Sequence, residues 1–147
     1  MLIEQAVKEG RQRVGLPCEQ PQLPAESLIK FWKKTVIENT DKPAFTCLGQ
    51  TLSYGEVDQL SRRIASYFQK QLGLKAGDRI AIQLPNLIQY PALAYAAWHI
   101  GLIVVNTNPM YSTRELIHQF NDAGVKVVIV LDKFYGTLSI QEYRKLL

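Results

Sequence analysis

Gly77-Asp78-Arg79-Ile80-Ala81-Ile82-Gln83-Leu84-Pro85-Asn86 reads as a short buried strand, entered through a tight Gly-Asp turn and closed by Pro85-Asn86. Leu87 to Ile100 then forms an apolar segment of helical length that stops at Gly101. Leu102-Ile103-Val104-Val105-Asn106 follows as a second strand, Thr113 to Ala123 as a second helix, and Val125 to Leu131 as a third strand. The order is β-α-β-α-β. Short β-branched strands without in/out alternation are covered on both faces, which calls for a parallel sheet joined by right-handed helical crossovers. The expected fold is therefore α/β, with this half-sheet and its flanking helices at the centre.

Working outward, Ser53-Tyr54-Gly55-Glu56 is a capping box: the serine hydroxyl takes a backbone N–H three residues on, and the glutamate reaches back. The helix that follows carries Val57, Leu60, Ile64 and Phe68 as its apolar stripe and Gly73 as its left-handed stop. Ser112-Thr113-Arg114-Glu115 repeats the device, with Leu116 and Phe120 on one face and Gly124 as the stop. Pro91 removes one helical hydrogen bond, so the helix after Asn86 is expected to begin irregularly. Upstream, Ala44 to Leu48 and Thr51-Leu52 flank Gly49-Gln50 as a hairpin. Leu28, Trp32 and Val36 recur every four residues in a helix from about Glu26, and Asn39 to Pro43 ends it. Three prolines, Pro17, Pro21 and Pro24, predict an extended arm, and residues 1 to 11 carry no more than a loose turn or two. The resulting division is an arm over 1–25, an α/β subdomain over 26–135 and the start of a continuation over 136–147.

Composition limits the function classes. With 147 residues, of which 47% are apolar, the chain can bury the core of about one globular domain. Its 17 Lys and Arg exceed 13 Asp and Glu, but Lys30, Lys33, Lys34, Arg62, Arg63, Lys70 and Lys75 are scattered over helix faces. A surface that tracks phosphates needs them clustered, so no nucleic-acid partner is expected. Cys18 and Cys47 lack the spacing of a disulfide framework or a zinc site. The first residues lack the build of a signal peptide, and the longest apolar run, Ala92 to Val105, is too short to span a bilayer; the expected location is the cytoplasm.

Chemistry-bearing motifs are missing from the 147 residues: there is no Gly-x-Gly-x-x-Gly, Gly-x-x-x-x-Gly-Lys-Ser/Thr, Gly-x-Ser-x-Gly or His-Glu-x-x-His. His99 reads as a helix-end residue whose charge complements the dipole, His118 as a surface residue and Asp78 as a turn residue. Asp122 and Asp132, near sheet ends, would need a crevice at a topological switch point before they could bind a ligand. No catalytic, cofactor-binding or metal-binding residue is named on these grounds.

Thr51-Leu52-Ser53-Tyr54-Gly55-Glu56-Val57, Gly77-Asp78-Arg79-Ile80-Ala81-Ile82, Leu84-Pro85-Asn86, Gly101 to Pro109, and Tyr111-Ser112-Thr113-Arg114-Glu115-Leu116 through Asn121-Asp122-Ala123-Gly124 stand in one order. That series resembles the N-terminal part of the adenylate-forming (AMP-binding) acyl-CoA synthetase family over about residues 26–135. Leu84 to Pro91 with Val105 to Tyr111 is most similar to its bacterial long-chain fatty acid–CoA ligases. The resemblance implies an ATP-dependent ligase that joins a long-chain fatty acid to coenzyme A with Mg²⁺, giving AMP and pyrophosphate. A ligase for aryl or short acyl acids and a non-catalytic α/β binding module derived from such an enzyme stay open. The family's phosphate loop, ribose-binding aspartate and catalytic lysine have no counterpart here, so no catalytic residue carries over and the chain alone is expected to be inactive. The handling of lipid implies transient peripheral contact with the inner face of a membrane, and a homodimer is left open. The half-sheet is expected to leave an open strand edge and an apolar helix face for the missing part of the fold to cover, and the fragment to self-associate.

Overall fold

The computed structural model describes residues 2–17 and 26–131. Along the chain lie α1 (Leu2–Arg13), α2 (Leu28–Asn39), β1 (Pro43–Cys47), β2 (Gln50–Ser53), α3 (Tyr54–Lys70), β3 (Arg79–Gln83), α4 (Gln89–His99), β4 (Ile103–Asn106), α5 (Thr113–Ala123) and β5 (Val125–Val130). β3 is the centre of a three-stranded parallel sheet in the order β4-β3-β5. Ile80 and Ile82 point to the face covered by α3 and α4, where they meet Ala65, Phe68, Ala94 and Ala97. Ala81 points to the other face, under Leu116 and Phe120 of α5. The central strand is thus covered on both sides, as its unbroken apolar run requires. The flanking strands are less enclosed, and Ile103 is half exposed.

Both capping boxes form. Ser53 N–H donates to Glu56 Oε2 at 2.8 Å and Glu56 N–H to Ser53 Oγ at 3.2 Å; Ser112 N–H donates to Glu115 Oε2 at 2.7 Å. Gly55 is required where α3 starts, because a Cβ there would lie 2.8 Å from Thr40 Cγ2 and 3.1 Å from the Thr40 carbonyl oxygen. Gly124 takes the left-handed cap of α5 at φ 60°.

Several boundaries and faces differ from expectation for identifiable reasons. The buried face of α3 is Val57, Asp58, Ser61, Ala65 and Phe68, while Leu60 and Ile64 are only half buried. Small Ser61 and Ala65 let α4, rich in buried alanines, approach closely. α3 ends at Lys70, three residues before Gly73, whose φ of 64° reverses the chain afterwards. α4 begins at Gln89, so Pro91 falls in its first turn, where the missing N–H has no helical acceptor to lose. The hairpin loop is Leu48-Gly49, both at positive φ, and Cys47 pairs with Gln50; that is the pair of signs a two-residue type I′ turn demands. In α2 only Trp32 is buried, and Leu28 is half exposed. Over residues 1–11, where a loose turn was expected, α1 makes three helical turns, closed by Arg11 Nε donating to the Pro17 carbonyl at 2.7 Å. The proline arm beyond Pro17, and Cys18, Asp132 and the 136–147 continuation, lie outside the described residues.

Candidate functional site

The chain leaves β3 towards the face covered by α4, and leaves β4 towards the opposite face covered by α5. Adjacent parallel strands whose connections depart to opposite faces open a crevice at their carboxyl ends, the place where open α/β sheets take ligands. Here that switch point falls between Gln83-Leu84-Pro85, after β3, and Asn106-Thr107-Asn108, at the end of β4.

Its walls are polar and held. Asn106, the last residue of β4, is gripped from both sides of the sheet: Tyr90 Oη of α4 donates to its side-chain oxygen, and Gln119 Nε2 of α5 donates to its carbonyl at 3.0 Å. Burial raises the Tyr90 pKa above the ordinary phenol value, keeping the hydroxyl a donor at neutral pH. Buried Gln83 directs Nε2 to the Asn108 carbonyl at 3.4 Å. Buried Thr107 returns its N–H to the Ile82 carbonyl at 3.2 Å. Asn108 Oδ1 accepts from Met110 N–H at 2.9 Å, and Met110 itself is 74% exposed. Gln119 Oε1 is buried with no partner among the described residues. Beside Tyr90 a groove of about 270 Å³ runs between the hairpin and the β3–α4 loop, walled by Phe45, Cys47, Asn86, Leu87 and Pro91. The Cys47 thiol is free and donates to the Asn86 carbonyl at 3.4 Å.

A second polar cluster lies where α2, α3 and α4 meet. Asp58 Oδ1 accepts from Trp32 Nε1 at 3.1 Å, and Asp58 Oδ2 from Arg62 Nε at 2.7 Å. His99 Nε2 is 3.1 Å from Ser61 Oγ and 3.5 Å from Asp58 Oδ1. Ser61 Oγ donates its single proton to the Asp58 carbonyl at 2.8 Å, so it accepts from His99 and the ring carries its proton on Nε2. Ser, His and Asp in contact invite comparison with a nucleophilic triad, but a triad uses one ring nitrogen for each partner. Here one nitrogen faces both, and Ser61 is fully buried. The cluster ties three helices together, and its Ser61 hydroxyl is closed off from any substrate.

The expectation for His99 as a charged helix-end residue needs correcting. It does occupy the last turn of α4, but burial, with Arg62 and Lys33 nearby, outweighs Asp58 and lowers its pKa below 6.5, so the ring is neutral at pH 7. His118 and Asp122 are exposed on α5, and neither makes one of the contacts described above. Asp78 is the turn residue expected: Lys126 Nζ sits 2.6 Å from Oδ1, and Lys75 N–H donates to Oδ2 at 2.9 Å. The ammonium, then the amide, lower its pKa. Among the described residues no group of three or more His, Cys, Asp or Glu side chains converges as a metal site.

A parallel sheet whose adjacent strands send their connections to opposite faces defines an α/β subdomain of the doubly wound class. The chain belongs to the AMP-binding enzyme family, whose model matches residues 32–146. It is 41% identical over 129 residues to a long-chain-fatty-acid–CoA ligase of Escherichia coli O6:H1, an alignment covering 88% of this chain and 23% of that protein. Among solved structures it resembles VinN in complex with 3-methylaspartate, with a TM-score of 0.75, 23% identity, and 83% of this chain and 33% of that one covered. It likewise resembles the N-terminal subdomain of Klebsiella oxytoca NpsA, with a TM-score of 0.70, 20% identity, and coverage of 82% and 32%. The chain therefore spans about a quarter of the length of the curated relatives it matches. No helix among the described residues is long and apolar enough to cross a membrane.

Proposed function

We propose that this chain is the N-terminal portion of a long-chain fatty acid–CoA ligase. In that enzyme a fatty carboxylate attacks the α-phosphate of ATP to give acyl-adenylate and pyrophosphate, and the thiol of coenzyme A then displaces AMP. The observation that carries the reading is the 41% identity to the E. coli ligase across nearly the whole chain. No step through ATP, Mg²⁺ or coenzyme A is assigned to residues of this chain, which brings no phosphate loop and, among its described residues, no convergent metal ligands. Its contribution is the sheet and the held crevice at the carboxyl ends of β3 and β4; adenylation by the 147 residues alone is not expected. Peripheral lipid contact and a homodimer belong to the same reading and are checked by vesicle sedimentation and by size-exclusion chromatography.

The deciding experiment takes the intact protein from its source cell, measures its mass, and follows fatty-acid-dependent pyrophosphate release and acyl-CoA formation over a panel of acids. A mass several times 16.7 kDa with preference for long chains supports the proposal. Preference for aryl or short acids would replace the substrate class. A 16.7 kDa protein that binds a carboxylic acid or nucleotide without turnover would establish the binding module instead.

A further inference from the structure

We propose that Tyr90 and Gln119 are positioning residues that set the lip 106–110 for the ligand taken at the carboxyl ends of β3 and β4; the inference rests on the ligase reading above. Asn106 stands where β4 ends and the crevice begins. Tyr90 reaches it from the α4 face through its side chain, and Gln119 from the α5 face through its carbonyl. Two helices on opposite sides of the sheet thus fix one residue at the switch point. The rest of the lip is fixed in series, by Gln83 on the Asn108 carbonyl and by Asn108 Oδ1 on the Met110 N–H.

Two features point to ligand placement rather than to fold support alone. Gln119 commits its amide donor to a loop carbonyl while its own Oε1 stays buried and unpartnered among the described residues, an arrangement that stability alone disfavours. Tyr90 holds Asn106 and at the same time walls the groove lined by Phe45, Cys47 and Asn86, so its hydroxyl links the groove to the lip. A lip held this way keeps its geometry without help from the ligand, which lowers the ordering cost of binding and keeps reacting groups aligned.

The test uses the intact enzyme carrying Tyr90→Phe, Gln119→Met, and both together. Acyl-adenylate formation is followed as single-turnover pyrophosphate release, and thermal unfolding is recorded in parallel. Each single variant is expected to lower kcat/KM for the acid about tenfold with a melting temperature near that of the wild type. Because both side chains act on Asn106, the double variant is expected to lose no more than the worse single one. Wild-type kcat/KM in either variant, losses that multiply in the double variant, or losses that track a lowered melting temperature would each overturn the assignment. A wild-type enzyme that turns over no acid overturns the ligase reading and the positioning role with it, whereas an active wild type with unimpaired variants overturns the positioning role alone.

Discussion

The two polar clusters of this subdomain use similar groups to opposite ends. At the junction of α2, α3 and α4, Asp58 accepts from Trp32 of α2 and from Arg62 one turn further along α3, and it borders His99 of α4, so the Trp32 and His99 contacts cross between helices. At the carboxyl ends of β3 and β4 the hydrogen bonds converge on a loop, one acceptor is left over at Gln119, and Met110 projects outward. A closed network with its partners assigned rigidifies the fold. The other leaves a buried acceptor unused behind an exposed lip. The difference separates a buried Ser-His-Asp constellation that resembles a catalytic site from a cluster of amides and a phenol that resembles none.

The strongest way to break this contrast is Asp58→Ala. It strands the Trp32 indole N–H and removes the carboxylate facing Arg62 and His99, and a cost of about 3 kcal/mol is expected. Asn106→Ala, which loses the Tyr90 contact at a more exposed position, is expected to cost about 1 kcal/mol. Denaturant unfolding of the two variants measures both, and equal losses would erase the distinction.

The clusters should also differ in their response to acid. His99 is held below the ordinary imidazole value of 6.5, first by burial, so the unfolded chain takes up a proton before the folded one as pH falls. The stability linked to His99 is complete above about pH 6.5 and is lost as pH drops from there towards the lowered folded value. His99→Gln should flatten unfolding free energy against pH in that window, and no change in slope would show that His99 is not the group responsible. Tyr90→Phe should leave the pH profile unaltered and cost at most about 1 kcal/mol. A larger loss would place the phenol with the structural cluster.

The two clusters were unequally legible in the sequence, and neither was read in full. The β-α-β-α-β order followed from β-branched runs, glycine stops and two capping boxes, all local signals that the structure repeats. Asp58 went unread because it sits next to Val57 on a helix whose stripe was assigned to Leu60 and Ile64 rather than Ser61 and Ala65. Its four-residue spacing to Arg62 was the available clue. The contact between Ser61 and His99 spans 38 positions and depends on how α3 meets α4. At the lip, the need for a switch point was foreseen, but Asp122 was weighed in place of Asn106, Tyr90 and Gln119. Nothing in residue type distinguishes a held asparagine from an ordinary turn residue. α1 was underread although Gln5, Ala6, Lys8, Glu9 and Arg11 are good helix formers, because Gly10 and weak periodicity obscured them.

The smallest expected effect comes from the hairpin, which shares neither cluster's polar network. Leu48 holds φ 50° while 89% exposed, a conformation that side chains branching from Cβ onward adopt at a cost. Strained backbone often accompanies function, so Leu48 competes with the lip as a marker of the site. The type I′ turn explains it without function: a two-residue loop between antiparallel strands demands positive φ at both positions, and Gly49 satisfies only one of them freely. Leu48→Asn, better suited to that region, should raise stability by about 0.5–1 kcal/mol in denaturant unfolding with the kinetics of the intact enzyme unchanged. Lower activity alongside the gain would show that the hairpin's strain serves the groove wall that β1 shares with Tyr90. The division would then lie between a rigid helical junction and a lip that extends into β1.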